Sequence, residues 1–343
     1  MAVSIASART VSTDPVLSVN GLKVHFFTRR GVVRAVDGIS FTLHKGERFG
    51  LVGESGSGKS TTALGIMRTI QEPGRIVDGN IALYADDMVV DLASLQPEEM
   101  RQRRLADVAM IPQGSMNSLN PVRRIVDHFR DSILAHERNV PDRQIIERMH
   151  ELLRMVGLQP AVARLYPHEL SGGMKQRVCI ALSICLSPKV IIADEPTSAL
   201  DVVVQRRVME TLAAVQERLH AAVILVGHDM GLLAQFVDRL GVMYAGKLVE
   251  IGTVRQIFDN PLHPYTRLLI DSLPTLEQRG VFRGVPGLPP SLLNPPSGCL
   301  FYPRCPSRME ICQHVAPPLV EVEPDHWAAC HMYQGEGRQE VVA

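Results

Sequence analysis

Two short stretches of this sequence bring together residue types suited to phosphate chemistry. GESGSGKST, residues 53–61, fits the pattern G-x-x-x-x-G-K-[ST] in full. Gly53, Gly56 and Gly58 let backbone N–H groups converge on phosphate oxygens without Cβ obstruction, and Ser55, Ser57 and Thr61 complete the cradle. Lys59 supplies a point charge for β- and γ-phosphates, and the Ser60 hydroxyl can reach Mg²⁺. The second stretch, VIIADEP at residues 190–196, delivers two carboxylates directly after an apolar run. Asp194 can hold Mg²⁺ through water, and Glu195, one residue further out, can orient or deprotonate an attacking water. A chance Gly-rich turn and a solvated acidic turn are the plainer alternatives. The first must explain a strand before and a helix after the motif; the second must explain two carboxylates at a strand end. The Gly-rich motif points to a nucleotide phosphate without choosing among families.

A third constellation lies near the C-terminal end. Four of the six cysteines, Cys299, Cys305, Cys312 and Cys330, crowd there, spaced x5, x6 and x17. In a reducing compartment such a cluster suggests metal ligation more than disulfides. Four thiolates could hold one Fe–S cluster or a zinc ion. The C-x₂₋₄-C pairs usual in structural zinc sites are absent, and Pro306 after Cys305 with the wide gaps favours a [4Fe–4S] cluster. Zinc and four unmetallated thiols are the alternatives. Cys179 and Cys185 read as small core residues.

The elements that must position these residues follow from pattern. Residues 16–24 and 36–43 read as short strands, and 49–52 as a buried strand running straight into the Gly-rich turn. Helical composition over 61–70, with Leu64 and Met67 at i, i+3, completes a strand–turn–helix unit. Residues 76–90 read as a hairpin, and 108–111 as a strand ending at Pro112-Gln113. From 114 to 187 strand character gives way to helix, as at 143–156 with Ile145, Ile146, Met149, Leu152 and Leu153. Asp201 caps a helix to about Leu219, and 222–226 is another core strand. Prolines 286, 289, 290, 295, 296, 303 and 306 forbid long regular elements, so a largely irregular appendage is expected from about 256 onward.

Composition bounds the partners. Lys+Arg and Asp+Glu both number 36, so no global basic field advertises nucleic acid or an anionic surface. At 45% hydrophobic and 21% charged, the composition is that of an ordinary globular protein. No run approaches the roughly 18–20 apolar residues that span a bilayer. The small, polar N-terminal residues 1–13 read as a disordered tail rather than a secretory signal. The chain is expected in the cytosol, with membrane contact only through partner proteins.

LSGGMKQR, residues 170–177, precedes Asp194 by a little over twenty residues. Together with Gln113, DEPTSALD at 194–201 and His228, it resembles the ATP-binding cassette family over about residues 16–255. Physically, Ser171, Gly172 and Gly173 open a helix whose N–H groups and dipole face an anion. In the family that anion is the γ-phosphate held by the opposite subunit's Gly-rich loop, so the resemblance implies a site completed by dimerisation. It further implies that Gln113 touches metal and attacking water, that Ser198-Ala199-Leu200-Asp201 crosses the dimer interface, and that His228 is the γ-phosphate switch. Phe26, beside Phe27, sits where the family stacks an aromatic ring on adenine. Met174 replaces the family's commoner Gln, and nothing needed for hydrolysis is missing.

NPLHPYTRLLIDSLP, residues 260–274, and PPSGCLFYPRCP, residues 295–306, resemble the C-terminal extension of oligopeptide/dipeptide importer ATPases. Tyr265, Leu268 and Leu269 form an apolar stripe that reads as packing rather than function. This group handles peptides, and sometimes nickel or oligosaccharides; some members carry an Fe–S cluster.

The expected fold is α/β, a P-loop NTPase core with an antiparallel β lobe, an inserted α-helical signature lobe and a small irregular C-terminal appendage. The expected domains are a tail at 1–13, a cassette at 14–255 with its helical lobe at about 114–187, and an extension at 256–343. The expected role is that of an ATP-hydrolysing motor at the cytoplasmic face of the cell membrane. Its cofactors are ATP, Mg²⁺ and a [4Fe–4S] cluster. Its partners are a like ATPase subunit, identical or homologous, two transmembrane permease subunits and, indirectly, an external solute-binding protein, with no nucleic acid. Two rival readings are a soluble cassette ATPase acting on nucleic acid or the ribosome, and an Fe–S electron carrier.

Overall fold

Alternation of apolar and polar residues makes two long strands of the first part of the chain, β1 (Pro15–Thr28) and β2 (Gly31–His44). The computed structural model describes residues 11–85, 88–198, 200–273 and 284–334, so most of the expected N-terminal tail lies outside the described residues. β3 (Arg48–Val52) is buried at every position, and the Gly-rich loop joins it to α1 (Lys59–Ile66). Helix α1 stops before the expected residue 70, because Arg68 takes a left-handed conformation and Pro73 follows. β4 (Gly74–Ala85) and β5 (Met88–Asp91) form the expected antiparallel hairpin. β1, β2, β4 and β5 make one four-stranded antiparallel sheet in the order β2-β1-β4-β5.

After α2 (Pro97–Arg103), β6 (Val108–Ile111) enters the central sheet. The stretch that follows is helical, with α3 (Ile125–Leu134), α4 (Asp142–Met155) and α5 (Gly172–Ser183). Helix α4 buries Ile145, Met149, Leu152 and Leu153, one helical face, while Ile146 falls on the exposed side. β7 (Val190–Asp194), α6 (Val202–Leu219), β8 (Ala222–Val226), α7 (Met230–Leu233), β9 (Arg239–Tyr244) and β10 (Lys247–Thr253) complete the core.

With two C-terminal strands, β11 (Val320–Glu323) and β12 (His326–Ala328), the central sheet has the order β11-β12-β10-β9-β3-β8-β7-β6. Strands β9, β3, β8, β7 and β6 are parallel, and their C-terminal ends line up on one edge, where open α/β sheets bind ligands. Being covered on both faces, these strands carry continuous apolar runs. Ile191 and Ala193 of β7 face one cluster with Phe129 and Leu153 of the helical lobe. Val190 and Ile192 face the other, with Val19, Leu43 and Ile81 of the antiparallel lobe.

The appendage is irregular over much of its described length, but it is anchored at several points. It contributes α8 (Val254–Asp259), α9 (Pro264–Asp271), α10 (Ile311–His314), β11 (Val320–Glu323) and β12 (His326–Ala328). β12 pairs with β10, so the β11–β12 hairpin extends the central sheet. Glu250 of β10, fully buried, accepts backbone N–H groups of Leu262 and His263 and lies 2.8 Å from His326 Nε2. Tyr244, Tyr265 and Phe301 pack ring against ring at 4.6–5.4 Å between centroids.

Candidate functional site

The Gly-rich loop is shaped by two close backbone approaches. Gly53 has φ +148°, and a Cβ there would lie 2.1 Å from the Met243 carbonyl oxygen. At Gly58, with φ +104°, a Cβ would lie 2.4 Å from the Ala35 carbonyl oxygen. Neither position tolerates a side chain. Gly56 and Ser55 are exposed at the loop's outer face, while Ser57 is buried and its carbonyl accepts the Gly246 N–H. The Lys59 ammonium, buried at the start of α1, donates to the carbonyls of Gly53 and Glu54 at 2.8 and 2.9 Å. Burial holds Lys59 below the ordinary lysine range, while Glu195, Asp194 and Glu54 pull it back. Thr61 follows in the first turn of the helix, half-buried.

Three neighbouring strand ends supply the rest. Ser60 Oγ donates to Asp194 Oδ1 at 3.0 Å, at the C-terminal end of β7. Burial pushes the Asp194 carboxyl above the usual range; the Ser60 hydroxyl opposes that shift, the Glu195 charge adds to it and Lys59 opposes it. Glu195 takes a left-handed conformation (φ +45°), uncommon for a residue with a side chain, and its N–H donates to the Val226 carbonyl of β8. Its carboxylate is held from both sides. Gln113, two residues beyond β6, donates through Nε2 to Oε2 at 2.9 Å, and His228 Nδ1, two residues beyond β8, lies 3.1 Å from Oε1. A carboxylate fixed between two such groups at a strand end is arranged to orient a water or take its proton. Ser60 and Asp194, with the Gln113 amide, offer hard oxygen donors of the kind Mg²⁺ requires, and among the described residues the buried Asp194 carboxylate has only a neutral hydroxyl as its hydrogen-bond donor.

The remaining expected residues stand apart from this group. Ser171 caps α5, its Oγ accepting from Met174 N at 3.3 Å, and Ser171 and Gly172 are exposed. Asp201 caps α6 by accepting from Val204 N at 3.0 Å. The two helix starts touch: a Cβ on Gly173 would lie 2.7 Å from Val204 Cγ1, and one on Gly172 3.3 Å from Leu200 Cδ2. Ala199 lies outside the described residues. The two aromatic neighbours differ. Phe26 is pressed against Gly74, where a Cβ would meet its ring at 2.5 Å, whereas Phe27 is exposed and lies under the Arg75 guanidinium at 4.2 Å.

Residues 36–198 match the family model described as ABC transporter, and residues 249–312 match that described as oligopeptide/dipeptide transporter, C-terminal region. The dipeptide transport ATP-binding protein DppD of Caldanaerobacter subterraneus is 43% identical, the match covering 94% of this chain and 98% of that protein. The chain belongs to the ABC transporter family. It is a cassette ATPase of the oligopeptide/dipeptide group. DppD of Bacillus subtilis is 41% identical over 96% of this chain and 98% of its own, and AppD of that organism, an oligopeptide transport ATP-binding protein, 40% over 94% and 98%. Among solved structures, the dimeric ABC transporter cassette MJ0796 superposes with a TM-score of 0.60 at 25% identity, covering 70% of this chain and 99% of that one. CbiO1 of Clostridium perfringens gives 0.59 at 24%, covering 72% and 92%, a likeness of fold.

The expected [4Fe–4S] cluster on Cys299, Cys305, Cys312 and Cys330 is a correction. Among the described residues no group of three or more His, Cys, Asp or Glu side chains is disposed to hold a metal ion. The expectation rested on the number and spacing of the cysteines in a proline-rich stretch. The cassette's appendage instead has a buried aromatic cluster, a hairpin on the central sheet and local turns such as Cys299 N–H to Cys312 C=O at 2.8 Å. Burial also pushes the Cys299 thiol up to about 11 and raises those of Cys305 and Cys330. Cys179 and Cys185 are buried as expected. Three residues escaped the sequence reading: Glu54 in the Gly-rich loop, and Tyr265 and Arg304, which reach it from the C-terminal region. A buried tyrosine must usually find a hydroxyl partner, which was the available signal.

Proposed function

We propose that this cassette is the ATP-hydrolysing motor of a peptide importer, peripheral to the cytoplasmic face of the cell membrane and paired with a like ATPase subunit. The observation that carries the catalytic part is the Glu195 carboxylate held between Gln113 and His228 beside the Ser60–Asp194 contact. The peptide part rests on relatives named for dipeptide and oligopeptide transport.

The N–H groups of residues 55–61 and the Lys59 ammonium receive the β- and γ-phosphates. Mg²⁺ would be held by Ser60, Asp194 and Gln113, where it would neutralise charge on the phosphate oxygens. Glu195 orients the attacking water and accepts its proton, while Gln113 and His228 keep the carboxylate in place. Phe26 stacks on adenine. Ser171, Gly172 and Gly173, at the exposed start of α5, face the γ-phosphate bound by the second subunit, and Asp201 lies at the joint between the two. ATP then closes the pair, and hydrolysis reopens it, driving two permease subunits fed by an external solute-binding protein. Within the chain we assign 14–255 to this motor and 256–343 to the group's extension. Affinity purification from native membranes tests the reading. Two polytopic membrane proteins should co-purify, and ATP turnover of that complex should rise with peptide-loaded binding protein. Recovery with ribosomes or nucleic acid and no membrane protein would overturn it.

A further inference from the structure

The phosphate loop is gripped from the C-terminal region at one residue. The Glu54 N–H donates to the Tyr265 hydroxyl at 2.9 Å, across 211 residues of sequence. The Glu54 carboxylate takes Arg304 in a bidentate pair, Nη1 at 2.7 Å and Nη2 at 2.8 Å, across 250 residues. Both partners are themselves fixed. The Arg304 side chain is only 3% exposed, and its remaining N–H groups go to the carbonyls of Pro286 and Val285 and to the Tyr244 hydroxyl. That accounts for all five donors of a guanidinium. Tyr265 is fully buried, its ring packed against Tyr244 and Phe301. Tyr244 follows Met243, whose carbonyl is the one lying against Gly53.

Glu54 stands between Gly53, where the chain leaves β3, and the run of N–H groups from residue 55 onward. Holding its N–H and carboxylate from outside fixes where that run begins, and the Ser57 N–H turns back onto the Glu54 carbonyl at 3.2 Å, so the fixed residue also sets the curl of the loop. A loop held this way loses less conformational freedom when a ligand arrives. We propose that Tyr265 and Arg304 are positioning residues for ATP: acting through Glu54, the C-terminal region presets the phosphate loop of its own chain. The proposal rests on reading residues 53–61 as the phosphate site. The phosphates stay on the loop from binding to transition state, so a loosened clamp costs uniform binding: KM rises and kcat stays.

Tyr265→Phe removes one oxygen and keeps the ring packing. Equilibrium titration with a fluorescent ATP analogue, and hydrolysis by the transporter assembled with the variant, should show Kd and KM raised about fivefold, with kcat within about twofold of wild type. A wild-type Kd, or a loss confined to kcat or to the fraction of active protein, would overturn the proposal. Because Arg304 also secures Val285 and Pro286, its own variant is read through coupling. The Glu54→Gln, Arg304→Lys double variant should bind ATP no more weakly than Glu54→Gln alone. Additive losses would mean that Arg304 does not act through Glu54, contrary to the proposal. Lys59→Ala serves as the separate control. If it bound ATP like wild type, the phosphate-site reading would fall and the proposal with it; if it alone lost binding, only the clamp would fall.

Discussion

Lys59 has a conflict built into its position. Its ammonium is buried, which disfavours the charge, and the compensation comes from loop carbonyls and from Glu195, Asp194 and Glu54 around it. A group maintained charged in such a setting is placed to meet a more concentrated anion. Replacing it by alanine removes a ground-state contact with phosphate, so Lys59→Ala should lose ATP binding itself, by about two orders of magnitude or more in a direct titration. His263 shows the opposite solution, a buried group kept neutral. Its backbone N–H donates to Glu250, its ring Nδ1 accepts from Tyr265 N, and burial lowers its pKa from 6.5 to about 4, against the pull of Glu250. Between those pH values the unfolded chain binds the proton and the folded chain does not. Its contribution is therefore intact above pH 6.5 and is lost as pH falls towards 4, by about 3 kcal/mol in total. Chemical denaturation across that range should show the slope, and a His263→Asn variant, which can still accept from Tyr265 N, should flatten it.

At the scale of elements, the start of α5 is a helix terminus with an exposed Ser171 and Gly172 and a buried body. Among the described residues its contacts run to the start of α6 rather than to the strand-end cluster. Ser171→Arg should therefore leave ATP affinity unchanged and reduce steady-state turnover at least about 100-fold in the assembled transporter. If titration showed the same binding defect as Lys59→Ala, the two half-sites would not be separate. The strand–turn–helix unit around residues 53–61, the strand at 190–193 and the Asp201 cap were legible because each is local: a buried run, a glycine pattern, a side chain and an N–H three residues on. The family resemblance implied Gln113 at the metal and water and His228 at the γ-phosphate, but not their shared hold on Glu195, since strand order β8-β7-β6 is invisible to periodicity. In the Tyr265–Glu54–Arg304 contacts only the tyrosine's need for a partner was legible, not the partner. A tyrosine on an apolar helical stripe reads as core, and its hydroxyl's partner lies 211 residues away. The Cys cluster misled for a related reason. Proline content forecast the lack of long elements correctly, but not the packing of Phe301 on Tyr244 or of β12 on β10 that orders the segment.

For the molecule as a whole, one parallel sheet gathers the site along a single edge, and an antiparallel lobe and a helical lobe cover its two faces. Among the described residues no helix is long and apolar enough to cross a membrane. The account stands on Glu195 as the group that prepares water for attack on a nucleotide already bound. Its most direct test is phosphate release and ATP affinity measured together on the transporter assembled with Glu195→Gln. The amide keeps the shape and the contact to His228 or Gln113 but cannot accept the proton. The expected result is turnover reduced at least about 100-fold with ATP affinity retained and the ATPase pair trapped closed. Turnover near that of wild type would contradict the account.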